Sequence, residues 1–155
     1  MPSIHERLYS MTVDTEVNAV RFRWKAQPTG EEFRYGTNQL LEFVRSQAVP
    51  GLIADVRNVT AHHTSSMEWL VREGLPEAAS AGIEHIAIVH GDDLIARTEM
   101  ETLREQAQQA ESYPSFFTTN RPKDAREWIH EQNQSTTSLF QLARYLPSLN
   151  LFSLP

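Results

Sequence analysis

The sequence predicts one α/β domain: a small, mixed and mostly parallel β-sheet of four or five strands with flanking helices, followed by an apolar helical tail. Two features predict this fold. Short apolar runs with the two-residue period of a strand alternate with longer segments whose apolar residues recur at helical spacing. Strands that alternate with helices are typical of parallel sheets joined by right-handed crossovers. A chain of 155 residues is long enough for one such core.

The first two strands are predicted to form a hairpin across the turn-forming residues 14–18. In the first strand every second residue is apolar: Tyr9, Met11 and Val13. The second strand has an apolar face of Val20, Phe22 and Trp24 and a basic face of Arg21, Arg23 and Lys25. We expect the basic face to be solvated or paired with acidic residues of neighbouring strands.

The second hairpin strand begins a series of four strand–helix units, whose later strands are predicted at residues 52–56, 85–89 and 115–119. A start signal precedes each helix. Thr29 with Glu32, and Ser65 with Glu68, have the spacing of a capping box; Asp92 and Asp93 open the third helix; Asn120 can cap the last, with Pro122 in its first turn. Gly74 and Pro76 are expected to interrupt the second helix.

The last part of the chain is predicted to be separate from this domain, which we place at residues 1–131. Residues 132–138 are rich in Gln, Ser and Thr and are interpreted as a hinge. Leucines then recur at helical spacing in residues 139–155, which form an apolar tail. Such a tail either packs back on its own domain or docks on a second subunit, and we expect a homodimer formed through it.

Composition limits the function. The chain is 40% hydrophobic and 22% charged, carries a formal net charge of -6 and has no cysteine. The acidic balance disfavours nucleic acid as a partner. The lack of cysteine excludes disulfides, thiolate nucleophiles and sulfur-ligated zinc. No apolar run reaches the length of a membrane span and no leader is recognised, so a cytoplasmic location is expected.

No cofactor or metal site is predicted. His62, His63, His85 and His90 do not have the paired spacing of metal ligands. Gly91 follows a strand and opens a helix, the position that holds phosphates in nucleotide-binding folds. Two acidic residues come directly after it and would repel a phosphate.

The chain from Phe22 to about Trp128 resembles the STAS superfamily, in its SpoIIAA-like, anti-sigma-factor-antagonist-like branch. The matching features, in order, are Trp24, Pro28-Thr29, Glu31-Glu32-Phe33, Asp55-Val56-Arg57-Asn58, Glu68-Trp69-Leu70, Leu75-Pro76, Gly82 and Ala87-Ile88-Val89. The resemblance covers about two-thirds of the chain. It implies a small mixed sheet with helices that is used for binding and regulation and not for catalysis.

The family's switch is an Asp-Ser-Ser-Gly tetrapeptide at the helix start after the central strand, where a partner kinase phosphorylates one serine. The matching residues here are His63, Thr64, Ser65 and Ser66, and only Ser65 matches the phosphorylated serine. A phosphate there would be stabilised by the helix N-terminus. The alternative is that Ser65 is only a helix cap. The candidate regulatory or partner-binding residues are Asp55, Arg57, His63, Thr64, Ser65, Ser66 and Trp69.

The favoured function is therefore a non-catalytic regulatory domain that binds an unidentified protein through the face near residues 57–72. The alternative is a carrier of a small apolar ligand or lipid in a pocket between sheet and helices, suggested by the large side chains Trp24, Tyr35, Phe43 and Trp69. A third hypothesis is a serine hydrolase using Asp55, His62 or His63, and Ser65. It ranks last because no nucleophile-elbow motif accompanies these residues. No catalytic residue is predicted.

Overall fold

The structure, a computed structural model, describes residues 2–109 and 113–145, and the side chains among them up to residue 134. In this part of the chain, six strands form one sheet in sequence order. They are β1 (Ser3–His5), β2 (Tyr9–Asp14), β3 (Ala19–Trp24), β4 (Gly51–Asp55), β5 (His85–Val89) and β6 (Ser115–Thr119). The first three pair antiparallel, and β3 to β6 pair parallel.

The mixed, mostly parallel sheet and the hairpin are confirmed, but the count of four or five strands is wrong. The strand that the sequence did not reveal is β1, an edge strand of three residues. It is too short to display a two-residue period, since Ile4 is its only apolar member and is half-buried.

The helices are α1 (Gly30–Gln47), α2 (Thr64–Trp69), α3 (Leu75–Ser80), α4 (Leu94–Gln108) and α5 (Pro122–Tyr145), with a π-helical turn at Leu70–Gly74 joining α2 to α3. The strands from β3 to β6 follow one another across the sheet in one direction. Because such crossovers are right-handed, the helices α1, α2–α3 and α4 all lie on one face. The handedness rule applies only to helices that connect two parallel strands, and α5 follows the last strand. This helix packs on β4, β5 and β6 from the opposite face of the sheet.

The sheet therefore has two unequal faces, which we name the α1 face and the α5 face. The α1 face carries the larger core, which includes Met11, Phe22, Trp24, Val44 and Met100. On the α5 face, the buried apolar residues in the described part of the chain are seven: Val17, Ala19, Ile53, Ala87, Val89, Ala125 and Ile129. The alternating pattern of β3 follows from this arrangement, since Phe22 and Trp24 point to the α1 face and Arg21 and Arg23 point to the other.

The two predicted capping boxes have different outcomes. At α1 the Glu32 backbone N–H donates to the Thr29 hydroxyl and the Thr29 N–H donates to the Glu32 carboxylate, so this box is confirmed. At α2 the prediction is wrong. The helix begins two residues earlier than that box requires, with His63 in the N-cap position and no hydrogen bond from its side chain, and Ser65 is already helical.

Gly74 and Pro76 do not interrupt the second helix, because the backbone stays right-handed helical from α2 through the π turn into α3. Pro76 has no N–H for the carbonyl four residues before it, and its ring would crowd that carbonyl. The π turn widens the helix just ahead of Pro76, where the Leu75 N–H donates to the Leu70 carbonyl five residues back. A Cβ at Gly74 would meet Leu70 Cδ1 at 2.7 Å, so a larger residue there requires the Leu70 side chain to move.

The hinge expected at residues 132–138 is not seen as a break, because this stretch lies inside α5 and its backbone is helical. Asn133 is buried and donates from Nδ2 to the carbonyl of Val17 at 2.6 Å. Asn133 therefore packs against the turn between β2 and β3. The backbone of the predicted tail is described as helix up to Tyr145, and residues 146–155 lie outside the described part.

Candidate functional site

The serine-rich start of α2 lies on the α1 face, and its three hydroxyl residues differ in exposure. Thr64 and Ser65 are exposed, whereas Ser66 is 2% exposed. The Oγ atom of Ser66 is buried and finds no hydrogen-bond partner among the described residues. Ser65 is thus the accessible serine of the pair, which is the geometry that modification by another protein requires.

Asp55 and Arg57 lie at the carboxyl end of β4 and form a two-pronged ion pair with each other. Arg57 donates from Nε to Oδ1 at 3.0 Å and from Nη2 to Oδ2 at 2.7 Å. The hydrogen bond to Asp55 raises the pKa of the Arg57 guanidinium above its ordinary value. Both residues line a cleft on the α5 face of the sheet. The predicted partner-binding residues therefore divide between the two faces.

The residues of the hydrolase hypothesis, namely Asp55, His62 or His63, and Ser65, do not form a hydrogen-bonded triad in the structure. Asp55 is held by Arg57, and Ser65 is exposed. His62 is hydrogen-bonded to a residue that sequence reasoning missed: its Nδ1 lies 2.7 Å from Glu99 Oε2, and its backbone N–H donates to the same oxygen. Within the described residues, no hydrogen bond joins the three groups that the hydrolase hypothesis requires.

Aromatic rings surround His62 and connect it to Trp69. The ring of Phe33 meets His62 edge-on at 5.8 Å and Trp69 edge-on at 6.5 Å, and it stacks on Trp24 at 5.9 Å. Arg34 lies over the Trp69 ring at 5.7 Å from its centre. Trp69 is thus a buried member of the core next to the site and not an exposed contact residue.

An apolar cavity of about 90 Å³ lies between the sheet and the helices of the α1 face, next to this cluster. Its walls are almost entirely apolar and come from β3 to β6, α1, α2, the π turn, α3 and α4; they include Phe22, Leu41, Leu52, Leu75, Ile88 and Met100. Among the described residues that line the wall, His62 is the only one with an ionisable side chain. The π turn contributes Leu70 and Gly74, and turns of this kind are frequent at functional sites.

An open groove of about 530 Å³ runs between α2 and α4 beside the cavity. Thr64, Met67 and Glu68 line one side. The other side belongs to α4, whose first residues Leu94 and Ile95 are 74% and 62% exposed. His62, Met67 and Leu103 line both the groove and the cavity, so these three side chains separate the two spaces.

The exposed apolar pair was missed by sequence reasoning, although a signal for it exists. The buried stripe of α4 consists of Ala96, Met100, Leu103 and Ala107, at helical spacing. Leu94 and Ile95 fall outside this stripe, directly after two acidic residues. Large apolar residues that a helix cannot bury with its own stripe are candidates for a binding surface. Glu99 could not have been identified, because its partner lies 37 residues away.

Within the described residues, no group of three or more His, Cys, Asp or Glu side chains is arranged to hold a metal ion. A helix with the length and apolar content that crossing a bilayer requires is also not found in this part of the chain.

No family model matches the sequence. It also has no match among curated proteins. Among solved structures, the chain is similar to an uncharacterised protein of the DUF3478 family from Shewanella loihica PV-4, which has a SpoIIAA-like fold. The TM-score is 0.54 at 14% identity, over 81% of this chain and 98% of that chain. The present chain has the SpoIIAA-like fold.

The SpoIIAA-like fold is the fold of STAS domains, so the resemblance noted in the sequence is confirmed at the level of the fold. The residues that the sequence matches to the family's switch, His63 to Ser66, lie at the start of α2, and Ser65 is exposed there. The residues on either side of it differ from the family's tetrapeptide, since His63 replaces the acid and Ser66 replaces the glycine.

Proposed function

We propose that this chain is a non-catalytic binding domain that takes up an elongated apolar molecule at the α1 face. The observation that carries the proposal is the continuity of two spaces. The apolar cavity and the open groove share His62, Met67 and Leu103 as lining residues. Movement of these side chains, of which Met67 is unbranched and adaptable, would join the groove to the cavity.

The cavity has an energetic cost that supports a use for it. Unfilled apolar volume in a core lowers stability by about 24 cal/mol per Å³, so a cavity of about 90 Å³ costs about 2 kcal/mol. That is a substantial part of the ~5–15 kcal/mol by which a domain is usually stable. An apolar occupant would recover this free energy by restoring the missing contacts.

The site also has polar groups where an amphipathic ligand would need them. The inner end of the site is apolar, and its outer end is lined by Thr64, Glu68 and the His62–Glu99 pair. A ligand would place its hydrocarbon part in the cavity and a polar end at this pair. Leu94 and Ile95 would contact the part of the ligand between these two ends, which would explain why these apolar side chains are exposed.

Filling the cavity tests the proposal. Ala78 is buried and lines the cavity, so Ala78→Leu adds hydrocarbon where the ligand would lie. The matched control is Ala26→Leu, which adds the same atoms at an exposed position. Native mass spectrometry of the purified chain and a fluorescence titration with the neutral dye Nile red measure uptake. We expect a retained molecule or dye binding in the wild type and the control, and a loss of about tenfold or more in Ala78→Leu.

A second variant keeps this test decisive if Ala78→Leu proves unstable. Leu94→Ser removes an exposed apolar contact of the groove without touching the core, so the fold should persist. We expect weaker dye binding and an unchanged unfolding temperature. Equal dye binding by the wild type, Ala78→Leu and Leu94→Ser would refute the apolar-ligand function.

The second candidate function is regulated binding of a protein partner at the start of α2. It is favoured by the exposure of Ser65 at the second helical position and by the N-cap residue His63, which makes no side-chain cap. A phosphate on Ser65 could therefore accept hydrogen bonds from N–H groups that no side chain caps. Ser65→Asp and Ser65→Ala should differ in partner capture, and identical capture by both variants and the wild type would argue against the switch.

Two further expectations complete this proposal. A homodimer formed through residues 139–155 remains a prediction, which light scattering of the full chain and of a chain ending at residue 138 would test. The same number of subunits before and after the truncation would show that the tail does not join the subunits. The cytoplasmic location also remains a prediction.

A further inference from the structure

The α5 face of the sheet contains a second cleft, which the proposed function does not use. Because α5 packs on β4, β5 and β6, the outward side chains of β2 and β3 on this face are left beside it. The cleft between them and the first turns of α5 has a volume of about 210 Å³.

Four guanidinium groups line this cleft: Arg21 and Arg23 from β3, Arg57 after β4, and Arg126 from α5. They are four of the 14 Lys and Arg residues in a chain whose net charge is -6. A concentration of positive charge against the overall balance is the arrangement expected of an anion site. Sequence reasoning saw only the β3 part, since Arg126 comes from a position more than 100 residues later.

Nearby acidic residues neutralise part of the positive charge of these four arginines. Asp55 holds Arg57, and Arg126 donates to Asp14 at 3.0 Å and to Glu16 at 2.6 Å. Arg21 approaches Asp14 only to 3.9 Å. Four guanidinium groups thus face three carboxylates, which leaves a surplus of one positive charge.

Arg23 carries that surplus. It is exposed, and among the described residues it has no ion-pair partner. It lies across from Asp55 on β4 and from Ser10 on β2, between the two neighbouring strands. Ser10 and Thr12 also line the cleft and add hydroxyl donors. The floor is apolar, because Ile53 and Val89 are buried there.

We propose that this cleft binds a small phosphate monoester, with the phosphate held by Arg23, Arg21 and the hydroxyls of Ser10 and Thr12. A phosphate offers several acceptor oxygens to donors that converge from different strands, and guanidinium groups match its geometry. The organic part of the ester would lie on Ile53 and Val89. Pro122 lines the same cleft, so the positive end of the α5 dipole adds to the attraction.

The test compares Arg23→Gln with Arg45→Gln. Arg45 is exposed in the last turn of α1, so each variant loses one positive charge and only the first loses it from the cleft. Phenyl phosphate and inorganic phosphate are titrated into the labelled chain and followed by NMR, at an ionic strength held constant with chloride. We expect shifts at the cleft residues, tighter binding of phenyl phosphate, and affinity about tenfold weaker in Arg23→Gln but unchanged in Arg45→Gln.

The phosphate could belong to a free metabolite or to a lipid headgroup, and a sedimentation experiment distinguishes them. Phosphatidylcholine vesicles with and without phosphatidic acid are spun with the wild type and both variants. Arg23-dependent binding only to vesicles containing phosphatidic acid, without binding of the free phosphates, assigns the site to a lipid. No binding of any phosphate, or equal losses in both variants, overturns the proposal. Ala78→Leu should bind phenyl phosphate normally, so failure of the apolar site would not affect this result.

Discussion

The two faces of the sheet differ in how completely helices cover them, and their chemistry differs accordingly. Three crossover connections bring helices to the α1 face, so its core is large and its binding space is an apolar cavity with a groove beside it. Among the described residues, one helix, α5, covers part of the α5 face, and the remainder carries polar and basic side chains around an open cleft. The direction in which strands are added therefore decides which face carries an apolar cavity and which carries a polar, open cleft.

This comparison predicts that the same substitution lowers the free energy of unfolding more on the α1 face than on the α5 face. Two tryptophans, one on each face, test this prediction. Trp24 is 2% exposed and contacts the rings of Tyr9, Phe22 and Phe33 on the α1 face. Trp128 is half-buried on α5 and stacks on Phe117 at 5.2 Å. Trp24→Ala should lower the free energy of unfolding by about 3–5 kcal/mol. Trp128→Ala should lower it by about 1–2 kcal/mol, since less area is buried.

Urea denaturation of both variants beside the wild type measures these values. A larger loss in Trp128→Ala than in Trp24→Ala would show that the α5 face holds the domain together, and the distinction between a major and a minor core would be wrong.

A smaller loss of stability is expected at the edge of the α5 face, where Asp14 of β2 forms an ion pair with Arg126 of α5. Burial alone would raise the pKa of Asp14, but the hydrogen bonds and charge of Arg126, with backbone N–H groups, outweigh it and hold the pKa below its ordinary value. A carboxyl whose pKa is lowered by folding adds stability at pH values above its unfolded pKa of about 3.9. That stability is lost as the pH falls through the lower, folded value.

Asp14→Asn should therefore cost about 1–2 kcal/mol at neutral pH, with the size limited because Arg126 is partly exposed. The difference from the wild type should shrink as the solution is acidified and vanish at a pH below the folded pKa. Thermal unfolding across acidic and neutral pH checks this. A constant difference at every pH would mean that the link between Asp14 and Arg126 does not depend on the charge of the carboxylate.

The parts of this fold that the sequence predicted are those specified by local patterns. The hairpin and the parallel strands were predicted from the apolar pattern within each strand, and the capping box from the spacing of Thr29 and Glu32. Each of these patterns involves residues that are close to one another in the sequence. The binding spaces depend on contacts between distant elements. Glu99 reaches His62 across 37 residues, and Arg126 reaches Asp14 across 112 residues. No local pattern contains such pairs, so the cavity rim and the basic cleft could not be predicted.

The failed cap at α2 illustrates the same limit within a few residues. The spacing of Ser65 and Glu68 is identical to that of Thr29 and Glu32, yet α2 begins at Thr64 and places Ser65 inside the helix. The neighbouring contacts of His62 with Glu99 and Phe33 hold the preceding chain in a position that favours His63 as the N-cap residue. Tertiary contacts thus override a local start signal here.

The smallest predicted effect separates a real cap from an apparent one. Thr29→Ala removes the side-chain acceptor for the Glu32 N–H and should lower the free energy of unfolding by about 1 kcal/mol. Ser65→Ala removes an exposed hydroxyl that caps nothing, so its cost should stay within about 0.5 kcal/mol. Urea denaturation of the two variants resolves this difference. A loss of about 1 kcal/mol in both would restore Ser65 as a cap, and its exposure would then no longer support a role in regulation.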